Sequence, residues 1–266
     1  MLEFIMQAAI CLRFTPEAAK TVGLKIATAE EPFMSAPDEE KLLETKTGWK
    51  QNPEAVRMDI IKVATEEFAL NGLSGARVNE IAAKTKTSKR MIYYYFGDKD
   101  GLYQQVLVEA YREVREGEGE LDLEHLAPLA ALKKLVEFTF DHHRRNPDFI
   151  RLVMIENIHH GDYMKHAPLI QALNQPVIER LERIYARGLE EKLFREGITA
   201  LELHWQISAL SFFNVSNQTT FSLSFGKRLF TKTGQAALKQ QVVHMVLRFV
   251  LRPEWIEQSL ETKIRA

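Results

Sequence analysis

Fourteen residues, from Arg77 to Arg90, concentrate positive charge in a chain that otherwise balances it. The segment Arg-Val-Asn-Glu-Ile-Ala-Ala-Lys-Thr-Lys-Thr-Ser-Lys-Arg carries five cations (Arg77, Lys84, Lys86, Lys89, Arg90) against the single anion Glu80. The whole chain has 35 Lys and Arg against 36 Asp and Glu, a formal net charge of -1. Directly behind the cations stands Met91-Ile92-Tyr93-Tyr94-Tyr95-Phe96. At helical spacing, Ile92 and Phe96 share a face that can be buried, while Lys89 and Tyr93 share another. The chemistry this pattern offers is recognition of a polyanion. Ammonium and guanidinium groups bind phosphate oxygens, and a tyrosine hydroxyl reaches a phosphate from a helix lying in a groove. An arginine can also donate two hydrogen bonds to guanine O6 and N7, a pairing worth ~1–3 kcal/mol of discrimination. On charge alone, a basic helical patch is more often a solvated face than a binding surface; spacing has to decide.

Catalytic alternatives are weaker. The chain contains no Gly-rich phosphate loop, no Gly-x-Ser-x-Gly elbow and no His-Glu-x-x-His site. Glu156 and His159 make one Glu-x-x-His spacing in the later helical region, whereas a di-iron bundle needs that spacing twice plus two further carboxylates. The lone cysteine, Cys11, excludes an internal disulfide framework and a thiolate-built metal site. The sequence therefore predicts no enzyme, no metal and no cofactor. Its 45% hydrophobic and 27% charged residues are ordinary for a globular protein, and no apolar run reaches the ~18 residues of a membrane span, so a cytoplasmic location without membrane contact is expected.

The elements that must position the cationic strip are helices. Residues 1–52 lack a sustained period and are expected to be a poorly ordered N-terminal extension; Met34 is a second candidate start, which leaves open whether residues 1–33 belong to the native protein. Pro53 opens a first helix, with Ile60, Ile61, Ala64 and Phe68 inward, that Asn71-Gly72 closes. Val78 to Lys84 and then Ser88 to Tyr95 are two short helices joined by Thr85-Lys86-Thr87, the size of a helix-turn-helix whose second member enters a major groove about 12 Å wide. Asp98 caps a fourth helix, which frays at Gly117-Glu118-Gly119-Glu120. Later helices are expected over 130–146, from an Asp148 cap to His159, from Pro176 to Phe194, from a Thr199/Glu202 capping box to Leu223, and over 235–251, with a looser stretch from Gly161 to Asn174. The organisation is thus an extension (1–52), a DNA-binding unit with its linking helix (53–118), a helical domain (119–252) and a C-terminal tail (253–266). The fold class is all-α.

Residues 60–102 resemble the DNA-binding domain of the tetracycline-repressor (TetR) family. The matching residues are Ile61, Ala64, Phe68, Gly72, Val78, Ile81-Ala82, Ser88-Lys89, Tyr93, Tyr95-Phe96, Lys99 and Leu102, ending in the specific Tyr-x-Tyr-Phe-x-x-Lys-x-x-Leu pattern. The resemblance implies a three-helix DNA-binding domain followed by a helical ligand-binding and dimerisation domain. It implies phosphate contacts from Tyr93 and Lys99 and groove contacts from Ser88, Lys89, Arg90 and Tyr94. Three positions depart from the family pattern. Arg77 replaces a phosphate-touching Thr and is expected to make a charged contact. Lys86 replaces the turn glycine and must accept whatever backbone the turn demands, with φ > 0 as the expected strain. Arg90 replaces a residue that is often glycine and adds a possible base reader.

The same resemblance implies a homodimer bound to a double-stranded operator, because one recognition helix offers too little interface for a selective site. The helices over 199–223 and 235–251 are apolar around most of their circumference, so they must be covered on more than one side. Trp205, Phe212, Phe213, Val243, Leu247 and Val250 are the interface candidates, against the alternative of core helices within one subunit. The middle helices are expected to enclose an unidentified small effector. The polar candidates for contacting it are His142, His143, Arg151, Glu156, Asn157, His159, Asn174, Gln206, Asn214 and Gln218, and Arg and His together hint at an anionic or carboxylate-bearing effector. The expected role is a repressor that the effector releases from its operator; the alternative is a helix-turn-helix DNA binder controlled by a partner, or acting architecturally, without an effector.

Overall fold

The structure, a computed structural model, describes residues 52–255. The extension before residue 52, with Cys11 and Met34, and the tail beyond residue 255 lie outside the described residues.

Asn52 caps α1 (Pro53–Gly75) by accepting from the Ala55 N–H at 3.1 Å, with Pro53 at the first position, where its missing N–H breaks no bond. Gly72 interrupts this helix at φ 66°, ψ 173°, and one further turn carries the chain to Gly75. Then follow α2 (Val78–Lys84), α3 (Lys89–Phe96) and α4 (Lys99–Gly119). Ser88 accepts from the Met91 N–H at 3.2 Å and Asp98 from the Gly101 N–H at 2.7 Å, so both act as the N-caps the sequence predicts. Ile60, Ala64, Phe68, Ile81, Ile92 and Leu102 are fully buried and close the core of this unit. Leu152 and Ile170, from later helices, complete that core, so the DNA-binding unit is seated on the rest of the chain.

The second set is α5 (Pro128–Arg145), α6 (Pro147–Ile158), α7 (Pro168–Glu190), α8 (Ala200–Ser216), α9 (Gln218–Phe225) and α10 (Lys232–Val250). Thr199 and Glu202 form the expected capping box, with both reciprocal bonds present. Several boundaries differ from the sequence reading. α6 opens on Pro147 itself, leaving Asp148 in the first turn without a capping role. Pro176 lies inside α7 and does not open it. A proline there removes one backbone bond at a cost of ~3 kcal/mol, but Ile170, Val177, Leu181 and Ile184 are buried along the same helix and hold it. α7 ends at Glu190, beyond which Lys192 adopts φ 55° and Phe194 forms an isolated antiparallel bridge with Leu251. The helix expected to reach Leu223 stops at Ser216, and α9 resumes after Asn217. The second core joins α5, α7, α8 and α10 through Leu132, Val136, Phe140, Leu181, Leu203 and Val246.

Among the described residues, no helix is long and apolar enough to cross a membrane, and no cluster of His, Cys, Asp or Glu is arranged to hold a metal ion.

Candidate nucleic-acid interface and internal cavity

α3 is divided as its sequence predicts. Ile92 and Phe96 face the core, while Met91, Tyr93 and Tyr94 face outward, Tyr94 with 77% of its surface exposed. Exposed Lys89 places Nζ 5.5 Å from the Tyr93 ring centroid, a cation–π approach that keeps both side chains on one outward strip. Arg90 is exposed beside them. Lys86 takes φ 50°, the left-handed conformation the turn requires and glycine would adopt without strain, and it points its ammonium-bearing chain to solvent. Ser88 uses its oxygen as an N-cap, which still leaves its O–H free to donate to a phosphate. Ser88, Lys89, Arg90, Tyr93 and Tyr94 therefore stand together on one eight-residue helix and its cap. Arg77 lies apart, exposed at the N-cap of α2, and half-buried Lys99 opens α4, its Nζ donating to the Ser74 carbonyl at 3.4 Å.

One residue of this unit escaped the sequence reading. Glu67, on α1, is 4% exposed and accepts from Asn71 Nδ2 at 2.9 Å, the Arg77 backbone N–H at 3.3 Å and Lys84 Nζ at 3.4 Å. Lys84 is thereby turned toward α1, so the cationic face is carried by Lys86, Lys89 and Arg90.

Behind the DNA-binding unit, α4, α5, α6, α7 and α8 line a solvent-open cavity of about 570 Å³. Its apolar wall includes Tyr111, Phe149, Val153, Ile178, Trp205 and Phe212; its polar wall includes Arg115, Glu118, Thr139, His143, Asn157, Asn174, His204 and Ser208. Arg115 and Glu118 form an ion pair whose side chains are only 13% and 4% exposed. The Glu118 carboxyl is pushed up by burial, against the pull of Arg115 and Arg180. His143 and His204 are both brought down to about 4, chiefly by burial, with Arg115 adding to the effect; His142, next along α5, is held at about 4 for the same reasons.

These histidines make stability depend on acid. In the unfolded chain they titrate near 6.5, and in the folded chain near 4, so between those values the unfolded state binds more protons. Their neutral burial is fully tolerated above about pH 6.5, and stability falls as pH drops from there toward 4. Thermal melts followed by circular dichroism should show Tm falling by several degrees from pH 7 to pH 5. A flat profile over that range would contradict the burial of these imidazoles.

Of the effector candidates, Asn157, Asn174 and His143 line the cavity. His142 instead borders a crevice between α1, α4 and the α5–α6 corner. Arg151 is exposed and paired with Asp148 at 3.3 Å, and Gln206 lies in a depression beside Arg195 and Phe249. Asn214 is buried and doubly bonded to Gln235, each bond 2.9 Å. Glu156 is buried and accepts from the Met164 N–H at 3.0 Å, while His159 and Gln218 are exposed. The interface candidates also divide. Trp205 and Phe213 are exposed, joined by Leu201 and Met245, and Phe212 and Leu247 are half-buried. Val243 and Val250 instead fill this chain's own core, because the inner half of each all-apolar helix is needed there.

A cationic, tyrosine-bearing second helix on a helix-turn-helix, backed by a helical body, defines a DNA-binding transcriptional regulator. Residues 60–106 match the family described as "Bacterial regulatory proteins, tetR family", and residues 128–246 match "Tetracyclin repressor-like, C-terminal domain". The chain belongs to the TetR family. It is 32% identical over 208 residues to the HTH-type transcriptional repressor NicS of Pseudomonas putida, covering 78% of this chain and 98% of that protein. It is 31% identical over 113 residues to the HTH-type transcriptional repressor SCO4008 of Streptomyces coelicolor, covering 42% of this chain and 54% of the other. The fold is similar to that of the transcriptional regulator SCO4942 from Streptomyces coelicolor (TM-score 0.57, 24% identity, 74% of this chain and 99% of the other). It is also similar to FadR from Bacillus subtilis in complex with stearoyl-CoA (TM-score 0.56, 19% identity, 72% and 98%). TetR-family proteins are non-enzymatic DNA-binding regulators, which ends the catalytic reading of the Glu156–His159 spacing.

Proposed function

We propose that the chain is a homodimeric, operator-specific repressor, acting in the cytoplasm, that a small molecule bound in the α4–α8 cavity releases from DNA. The observation that carries the DNA-binding half is the outward strip of α3, where Lys89, Arg90, Tyr93 and Tyr94 stand free above a fully buried Ile92. Dimerisation is supported by the exposed apolar side chains Leu201, Trp205 and Phe213 on α8 and Met245 on α10, a surface that water solvates poorly and a second copy would cover. Release by a ligand is supported by α4, whose 21 residues span about 30 Å from Lys99 in the DNA-binding unit to Arg115 and Glu118 in the cavity wall. A ligand that moves one end of this helix changes the setting of the other, and a coupling of ~1–3 kcal/mol shifts operator affinity 5- to 150-fold. Repression is the sign carried by the names of two of the relatives, NicS and SCO4008.

The test is selection of genomic fragments bound by the purified protein, followed by footprinting. The expected footprint is two-fold symmetric, with half-sites ~34–36 Å apart or a multiple of that. Arg90→Ala should relax preference at one base position per half-site, and Lys99→Ala should weaken binding evenly across sequences with a shallower salt dependence. Failure to enrich any fragment, or parental binding by both variants, would overturn the placement of α3 in the groove.

A further inference from the structure

We infer that the cavity's ligand is a compact carboxylate with a flat apolar body, its carboxylate held at Arg115 and His143; this rests on reading the cavity as the effector site. Two buried nitrogens in the cavity wall lack partners: Nε of Arg115, whose side chain is 13% exposed, and Nδ1 of His143, which is 7% exposed. A buried guanidinium N–H can only donate, so the missing partner is an acceptor. Leaving such a donor unmet is unfavourable, and native interiors rarely do so without a ligand or water to accept from it.

Charge points the same way. Arg115 pairs with Glu118, and Arg180 donates to the Glu118 backbone carbonyl at 2.5 Å, so two guanidiniums flank one carboxylate. Among the described residues Arg180 has no salt-bridge partner of its own, and His143 and His204 are neutral at physiological pH. A carboxylate bound at Arg115 would give this guanidinium a second anionic partner beside Glu118. Arginine's planar fork matches a carboxylate through two parallel donors, and Nε is one of them. The opposite wall is apolar, with Phe149, Trp205 and Phe212 presenting aromatic surface, and about 570 Å³ is within the range that holds a small ligand.

The experiment uses the full chain and two matched pairs of probes, benzoate with benzamide and 2-naphthoate with 2-naphthamide, at fixed ionic strength with acetate as control. Binding is read by calorimetry and thermal shift, and operator affinity by anisotropy. The carboxylates are expected to bind tenfold to a hundredfold more tightly than their amides, the loss expected for removing a charge-assisted hydrogen bond. Arg115→Lys keeps the charge opposite Glu118 but removes Nε, so it should erase most of the carboxylate-over-amide preference while leaving binding of the amides unchanged, with circular dichroism verifying that the variant is folded. Equal binding of amides and carboxylates, or binding of neither, overturns the carboxylate inference. Preferential carboxylate binding that leaves operator affinity unchanged upholds the ligand class and instead defeats the effector reading of the cavity.

Discussion

Glu67→Ala should weaken operator binding by tenfold or more while the second core stays folded. α2 is only seven residues long, and its N-cap residue, Arg77, makes no side-chain cap. A helix this short does not set its own orientation, because nucleation is unfavourable and its stability comes from packing. Glu67 supplies what the sequence around Arg77 lacks. It reaches across from α1 to the Arg77 N–H, as the carboxylate of a capping box would, and binds Lys84 at the far end of the same helix. One carboxylate thus fixes both ends of α2, and with them the turn that delivers α3. Its third partner, Asn71, sits beside the Gly72 break, so the same group also sets where α1 stops being regular. Alanine leaves these donors to water, at a cost of ~1–3 kcal/mol. It also frees the Lys84 ammonium to seek phosphates. Binding to random DNA should therefore be preserved or gain, while operator binding falls, and the ratio of the two is the informative quantity. Glu67→Gln keeps the shape and one acceptor and should fall between the alanine variant and the parent. An unchanged ratio of operator to random-DNA affinity in both variants would reduce Glu67 to a stabilising residue with no part in recognition.

Glu67 also illustrates what sequence conceals. The caps at Ser88, Asp98 and Thr199 are legible because a cap is a local device: donor and acceptor lie within three residues of each other. The division of α3 is legible for the same reason, since Ile92 and Phe96 are one helical turn apart and the turn residue Lys86 is constrained by its immediate neighbours. Glu67 finds two of its three partners ten and seventeen residues away, and in sequence it is one more acid on a helix. Arg115 and Glu118 are concealed more deeply. At i, i+3 spacing they read as an ordinary exposed pair, and only α5, α7 and α8 folding over them makes the pair internal. Arg151 is the converse case, a helical arginine near the cavity that the turn of α6 directs to solvent and to Asp148. Val243 and Val250 were ambiguous because a helix apolar on every side reveals that it is covered twice, without saying which side belongs to the protomer.

Gly188→Ala should lower Tm by several degrees, the reverse of what the substitution does in most helices. Ala is ordinarily preferred over Gly in a helix interior by ~1 kcal/mol. Gly188 lies in the last turns of α7, and a Cβ there would occupy the space of the Phe194 ring. That ring is 1% exposed and stacks on Tyr185 with 6.1 Å between centroids, so it has no open space to enter. Its backbone is held as well, since the N–H groups of Leu193 and Phe194 both donate to the Gly188 carbonyl, at 2.9 and 3.0 Å. Tyr185 is tied in turn, donating to the Arg195 carbonyl at 2.6 Å and accepting from the Ile198 N–H at 3.2 Å. The methyl therefore meets a closed assembly, and overpacking of this kind costs ~1–3 kcal/mol, at 2–4 °C per kcal/mol for a domain of this size. The cause is separable by a cycle with Phe194→Ala. That variant alone should be destabilised by the loss of a buried aromatic ring, and adding Gly188→Ala to it should cost nothing further, because the ring that forbids the methyl is gone. Additive losses would mean that the glycine is required by the backbone of α7 and not by Phe194; a raised Tm in the single variant would mean that the ring yields, and that the junction between α7 and the end of α10 is looser than its packing implies.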